Sequence, residues 1–282
     1  IKSILTMNIS EHVGNFIQEM KRRNYAQNTI DNYVSCLNLF FGKSIKDHPK
    51  NINETDIKNF LGTFKEVNTQ RNYHSAIKKF YDVCLGQKEK FKYIPYAKKN
   101  EKLPIVLSVE EIQKMFSVCE NTKHKLILAL LYPCGLRVSE LINLKWEHID
   151  RSRMIINIIQ AKGNKDRQVM LTQSLIPLLE KYWKEYKSKV YILNGWKNEL
   201  QYTDRSVGQV VKQLASKAGL NKRVYTHLLR HCAFTHMVEG GCDINLIQRI
   251  AGHSNVKTTN IYLHTSHNLI SKIQSPLAQI KL

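Results

Sequence analysis

The sequence predicts a mainly α protein of the α+β class. We expect a helical domain of four helices over residues 1–87, a basic linker over 88–104, and a mixed helical domain with a small antiparallel β-sheet over 105–282. Three observations carry that expectation. A chain of 282 residues exceeds the roughly 100–200 residues of one domain, so two domains are the natural division. Apolar residues recur at helical spacing along most of the chain. Between Met154 and Leu171 that period changes to two, the alternation of a half-buried strand. A hydrophobic fraction of 43% excludes a disordered chain.

In the first part Ile9, Val13, Phe16, Ile17 and Met20 form one stripe, with Ser10 as its expected cap. Ile30, Tyr33, Val34, Leu37 and Phe40/Phe41 form a second. Asn53 caps a third helix carrying Ile57, Phe60 and Leu61. A fourth covers Asn68–Leu85, with Tyr73, Ile77, Phe80, Tyr81 and Cys84 inward and Lys78/Lys79 outward. Lys88, Lys90, Lys92, Lys98, Lys99 and Lys102, interspersed with Pro95 and Pro104, read as a linker that touches phosphates. Ser108 and Glu111 form a capping box that opens the second domain. Helices are expected at 110–118, 123–131 and 138–144. Strands follow at 154–159 and 167–171, around a Gly163-Asn164 turn. Helices resume at 175–187, 205–218, 227–239, 244–251 and 255–263, and residues 266–282 could add one more that docks on a partner.

Charge is the first functional clue. Residues 1–100 hold 17 basic and 9 acidic side chains, and the rest hold 26 and 14. The surplus therefore belongs to both bodies, and a polyanion, commonly nucleic acid, is the expected partner. No apolar run reaches the ~18–20 residues of a membrane span, and none of the N-terminal residues forms a secretion signal. The six cysteines stand without any Cys-x-x-Cys pair, which suits a reducing cytoplasm rather than a zinc ribbon or a disulfide scaffold.

The densest chemical cluster is His227-Leu228-Leu229-Arg230-His231, where spacings of three and four put His227, Arg230 and His231 on one helix face. A metalloprotease would need a Glu beside the first His, and Leu228 stands there, so no metal is expected. Leu228 and Leu229 imply that the helix is half buried, and a buried Arg needs an anion. Gly135-Leu136-Arg137-Val138-Ser139-Glu140-Leu141 supplies a second Arg, which alone reads equally as a local ion pair with Glu140. Ala161-Lys162-Gly163-Asn164-Lys165-Asp166-Arg167 sets basic side chains around a hairpin tip. Ala251-Gly252-His253 and Thr258-Thr259-Asn260-Ile261-Tyr262 add a His after a helix-ending glycine and a Tyr nine residues on.

Taken in order, Arg137, Lys162, His227, Arg230, His253 and Tyr262 give a pattern that resembles the tyrosine recombinase (phage integrase) family over essentially the whole chain, most like its Xer and integron-integrase branch. Pro133-Cys134, Ala161, Cys232-Ala233-Phe234 and Ala251 depart from the usual motifs without touching those six positions. The resemblance implies that residues 1–87 are a core-binding domain on DNA. It also implies a site-specific recombinase that cleaves and rejoins strands through a 3′-phosphotyrosine, for integration, excision or resolution of DNA elements. The expected partners are double-stranded DNA with paired inverted half-sites and a homotetramer on two sites. No cofactor is expected, since the covalent link stores the bond energy. Lys98, Lys99, Lys165 and Arg167 are the expected DNA contacts.

These residue types suit that reaction. Attack on a phosphodiester builds charge on the non-bridging oxygens, which the guanidiniums of Arg137 and Arg230, with His253, can stabilise without a metal. Tyr262 is the nucleophile, and its hydroxyl, with an ordinary pKa of about 10, needs help in losing its proton. His227 is the first candidate for base or hydrogen-bond acceptor. Lys162 on the hairpin is the expected donor to the leaving 5′-oxygen. Two alternatives use the same residues or fold: a type IB topoisomerase-like nick-and-reseal enzyme, and a non-catalytic DNA-binding regulator.

Overall fold

The structure, a computed structural model, describes residues 2–44, 46, 48–98, 105–159, 166–195, 200–253 and 256–265. The chain divides into two compact units, Ile1–Lys102 and Leu103–Leu282. Among the described residues no helix is long and apolar enough to cross a membrane.

The first unit is built from α1 (Lys2–Arg22), α2 (Gln27–Lys43), α3 (Glu54–Gly62) and α4 (Val67–Leu85). Ser10 lies inside α1, eight residues past its start, so it does not cap that helix. Asn53 does cap α3, accepting from Asp56 N while the Asp56 carboxylate takes the Asn53 amide. Phe16, Met20, Ile30, Leu37, Phe40, Ile57, Ile77 and Phe80 fill one core. Burying each such side chain contributes about 1.5–3 kcal/mol. The linker expectation is corrected over residues 88–98. Phe91 and Ile94 are buried in this core, Lys90 Nζ donates to the Ile52 carbonyl at 2.7 Å, and Arg71 Nη1 donates to the Ala97 carbonyl at 2.7 Å. The lysines there decorate a segment whose two apolar residues fasten it to the bundle. Lys98 is exposed, and Lys99 lies outside the described residues.

The second unit opens with the predicted Ser108–Glu111 capping box on α5 (Val109–Ser117). α6 (Thr122–Leu131) is buried continuously from Leu126 to its end, and a left-handed Gly135 (φ +58°) then turns the chain into the short α7 (Val138–Ile142). The sheet is three-stranded and antiparallel, with β1 (Ile149–Asp150), β2 (Ile155–Ile158) and β3 (Arg167–Met170) in sequence order. Ile156 faces Val169 across β2 and β3, and both point into the core. β1 is two residues long, too short to show an alternation, which is why the sequence did not reveal it. The Gly163-Asn164 turn, Lys162 and Lys165 fall outside the described residues, as do residues 266–282. α8 (Leu175–Tyr186), α9 (Asp204–Lys217), α10 (Thr226–Glu239), α11 (Ile244–Ala251) and α12 (Val256–Thr265) complete the unit within about a residue or two of their predicted limits.

Candidate active site

Three arginines meet around one carboxylate. Glu140 sits at the third position of α7, where it accepts the Arg137 amide at 2.7 Å, as the capping residue of a short helix should. Its Oε1 also accepts from Arg137 Nη1 at 2.7 Å, and its Oε2 from Arg167 Nη2 at 2.6 Å. Arg230 Nη1 stands 3.9 Å from the same Oε2. The local Arg137–Glu140 ion pair, the alternative reading of that stretch, is thus present, within a larger cluster. Burial pushes the Glu140 carboxyl up, but the hydrogen bonds and charges of Arg167 and Arg137 more than offset this and hold it below the ordinary range.

Arg230 is the most enclosed of the three, at 1% exposure. It projects from α10 onto the Phe234 ring, with its guanidinium 4.8 Å from the ring centre. Nη1 donates to the Gly135 carbonyl, and Nη2 donates to the Ala251 carbonyl at 2.5 Å. Arg137 Nη2 donates to that same Ala251 carbonyl at 3.0 Å, so the end of α11 gathers both side chains. Among the described residues, the buried Arg230 Nε has no hydrogen-bond partner, a donor that lacks an acceptor. Burial first, then repulsion from Arg137 and Arg167, pulls the Arg230 pKa down to about 9, which leaves it charged at neutral pH.

His253 follows the left-handed Gly252 that ends α11, and its Nδ1 shares a hydrogen bond with Thr259 Oγ1 at 3.0 Å. Its ring stacks on that of Tyr262, with centres 6.0 Å apart and planes 18° from parallel. Tyr262 projects from α12 and is 5% exposed, packed also against Phe234 (5.5 Å) and His231 (5.0 Å). Burial raises the Tyr262 pKa, while the nearby Arg230 and Arg137 charges pull it down. Burial and the charges of Arg230, Arg137, Arg167 and His227 lower His253 to about 4. His227, itself exposed in the first turn of α10, is close enough to act electrostatically on both His253 and His231.

Five of the six predicted catalytic residues, Arg137, His227, Arg230, His253 and Tyr262, are therefore brought together; Lys162 lies outside the described residues. Arg167 requires a correction. Expected on DNA, it is buried, with its guanidinium committed to Glu140 and to the Ile250 carbonyl. The pleat explains this, because β3 alternates buried and exposed and Arg167 shares the inward face with Val169. The sequence reading missed Glu140 as a hub and Thr259 as the partner of His253. For Arg167, the two-residue step to Val169 was the available signal.

Residues 106–268 match the model of the phage integrase family, and residues 13–90 match the phage integrase N-terminal SAM-like domain. The tyrosine recombinase XerA of Pyrococcus horikoshii is 32% identical over 259 residues, which cover 90% of this chain and 88% of that protein. The crystal structure of XerA recombinase aligns with a TM-score of 0.56 at 26% identity, covering 94% of this chain and all of the other. The site-specific recombinase XerH, bound to a palindromic difH substrate in a post-cleavage complex, shares the fold with a TM-score of 0.71. It is 24% identical, over 89% of this chain and 80% of that one. Fold and site thus define an enzyme of DNA strand exchange, and the chain belongs to the phage integrase family. Within it the chain is a Xer-like tyrosine recombinase, a site-specific DNA recombinase. The nick-and-reseal and regulator alternatives are not favoured.

Proposed function

We propose that this recombinase breaks a DNA strand by attack of Tyr262 Oη on the scissile phosphorus, forming the tyrosyl O–P bond as the P–O5′ bond breaks. The product is a 3′-phosphotyrosyl link and a free 5′-hydroxyl; attack by another strand's 5′-hydroxyl reverses the step and joins the new strand. Arg137 and Arg230 hold the non-bridging oxygens, with His253 as a further donor. His227 takes the phenolic proton. Lys162 gives one to the leaving oxygen, and Lys98, Lys99 and Lys165 contact the backbone. The enzyme acts in the cytoplasm as a homotetramer on two DNA sites, each with inverted half-sites, during integration, excision or resolution of DNA elements.

The observation that carries this reading is the charge of the cluster. Among the described residues, three guanidiniums face one carboxylate, and Arg230 Nε has no acceptor. That leaves a buried surplus of positive charge beside a tyrosine hydroxyl, which a phosphodiester and its more highly charged transition state would neutralise. The test is to capture DNA held covalently by the protein in its native genome, map the sequence, and place two copies on a plasmid. Exchange of flanking DNA between the copies is expected. Relaxation of supercoils with no exchange would make it a nick-and-reseal enzyme instead.

A further inference from the structure

Arg167 takes no part in the chemistry just described, yet it is built into the centre of the cluster. Its side chain is 4% exposed, as is that of Glu140. Nη2 and Nε donate to the two oxygens of Glu140 at 2.6 and 3.4 Å, and Nη1 donates to the Ile250 carbonyl in the last turn of α11. The glycine after that turn is fitted to it. Gly252 has φ +61°, and a Cβ there would lie 2.7 Å from Arg167 Cδ. Arg167 therefore fills the space that any side chain at 252 would need.

A buried ion pair is a poor device for stability alone, because well-packed apolar residues of similar volume do as well or better. Arg167 is moreover a third positive charge where two already crowd, so geometry is the stronger reason for it. We propose that Arg167 is a positioning residue for strand cleavage: it fixes the Glu140 carboxylate, and through it the Arg137 guanidinium, while holding the α11 end that leads into His253. This rests on the reading that Arg137 and Arg230 hold the scissile phosphate. Arg230 Nη1 is already 3.9 Å from Glu140 Oε2. Without Arg167, that oxygen is free to draw Arg230 away from the phosphate, and Arg137 loses the fixed partner that aims it.

The test compares cleavage rate constants, at saturating protein, on a duplex bearing the captured site with either a phosphate or a methylphosphonate at the scissile position. A methyl group in place of one charged oxygen lessens the demand on the arginines, so defects in their aim cost less on that substrate. The full chain is compared with Arg167→Met, Gly252→Ala and Arg137→Ala, with DNA affinity and melting temperature measured alongside. Arg167→Met should slow cleavage of the phosphate about 10- to 100-fold, by analogy with the loss of an outer partner that orients a metal ligand, with affinity nearly unchanged. The loss on the methylphosphonate should be far smaller, as for Arg137→Ala. Equal losses on both substrates for Arg167→Met and Gly252→Ala, with Arg137→Ala still unequal, would overturn the proposal and leave Arg167 a scaffold residue. Equal losses for Arg137→Ala would instead remove the phosphate-holding reading, and this inference with it. If Arg167→Met does not fold, Gly252→Ala, which keeps every charge, decides.

Discussion

His231 follows Arg230 on α10, and among the described residues its buried Nε2 has no hydrogen-bond partner. Burial, then the charge of His227, lowers its pKa to about 4 from an ordinary 6.5. Between those two values the unfolded chain binds a proton that the folded chain refuses, so this group makes stability fall as pH drops from 6.5 toward 4. His253 acts in the same direction over the same window. Glu140 acts lower, because its depressed carboxyl contributes stability that is present above its ordinary 4.5 and lost below it. Melting temperature should therefore decline from pH 7 to pH 5, and His231→Asn should decline less steeply. An unchanged slope in that variant would show that His231 protonates freely in the fold. At this scale the sequence was legible where motif spacing fixed a helix face, as for His227, Arg230 and His231. It was silent where two distant elements share one carboxylate. Nothing local to Arg167 announces Glu140, 27 residues earlier in the chain.

At the scale of elements, turns decide what meets what. Gly135 joins α6 to α7 at φ +58°, and a Cβ there would sit 2.6 Å from Phe234 Cζ, the ring on which Arg230 rests. Gly135→Ala should lose about 1–2 kcal/mol to left-handed strain and a further ~1–3 kcal/mol to overpacking. Gly219 is a built-in control, with φ +69° and open space around it, so Gly219→Ala should lose the strain alone. Equal melting temperatures for the two variants would contradict the packing account. Helix limits were readable because Asn53 and Ser108 cap where their side chains can reach an amide. Residues 88–98 were misread because their lysines outnumber Phe91 and Ile94, the two residues that bind the segment to the bundle.

At the scale of the molecule, the formal charge of +20 is shared by both units. Affinity for DNA should fall steeply with salt, with a log–log slope of about −0.9 for each phosphate neutralised. Lys98→Ala should make the slope shallower by about one contact without altering site preference. A flat response in the unaltered protein would contradict backbone contact as the main source of affinity. The measurement that bears most directly on the central claim is the covalent adduct. The unaltered chain should form a denaturant-stable complex with its site, in which the DNA 3′-phosphate is attached to the peptide containing Tyr262 and a free 5′-hydroxyl is left. Tyr262→Phe should bind the same DNA with similar affinity and form no adduct. An adduct that persists in Tyr262→Phe, or one mapped to another residue, would contradict the account.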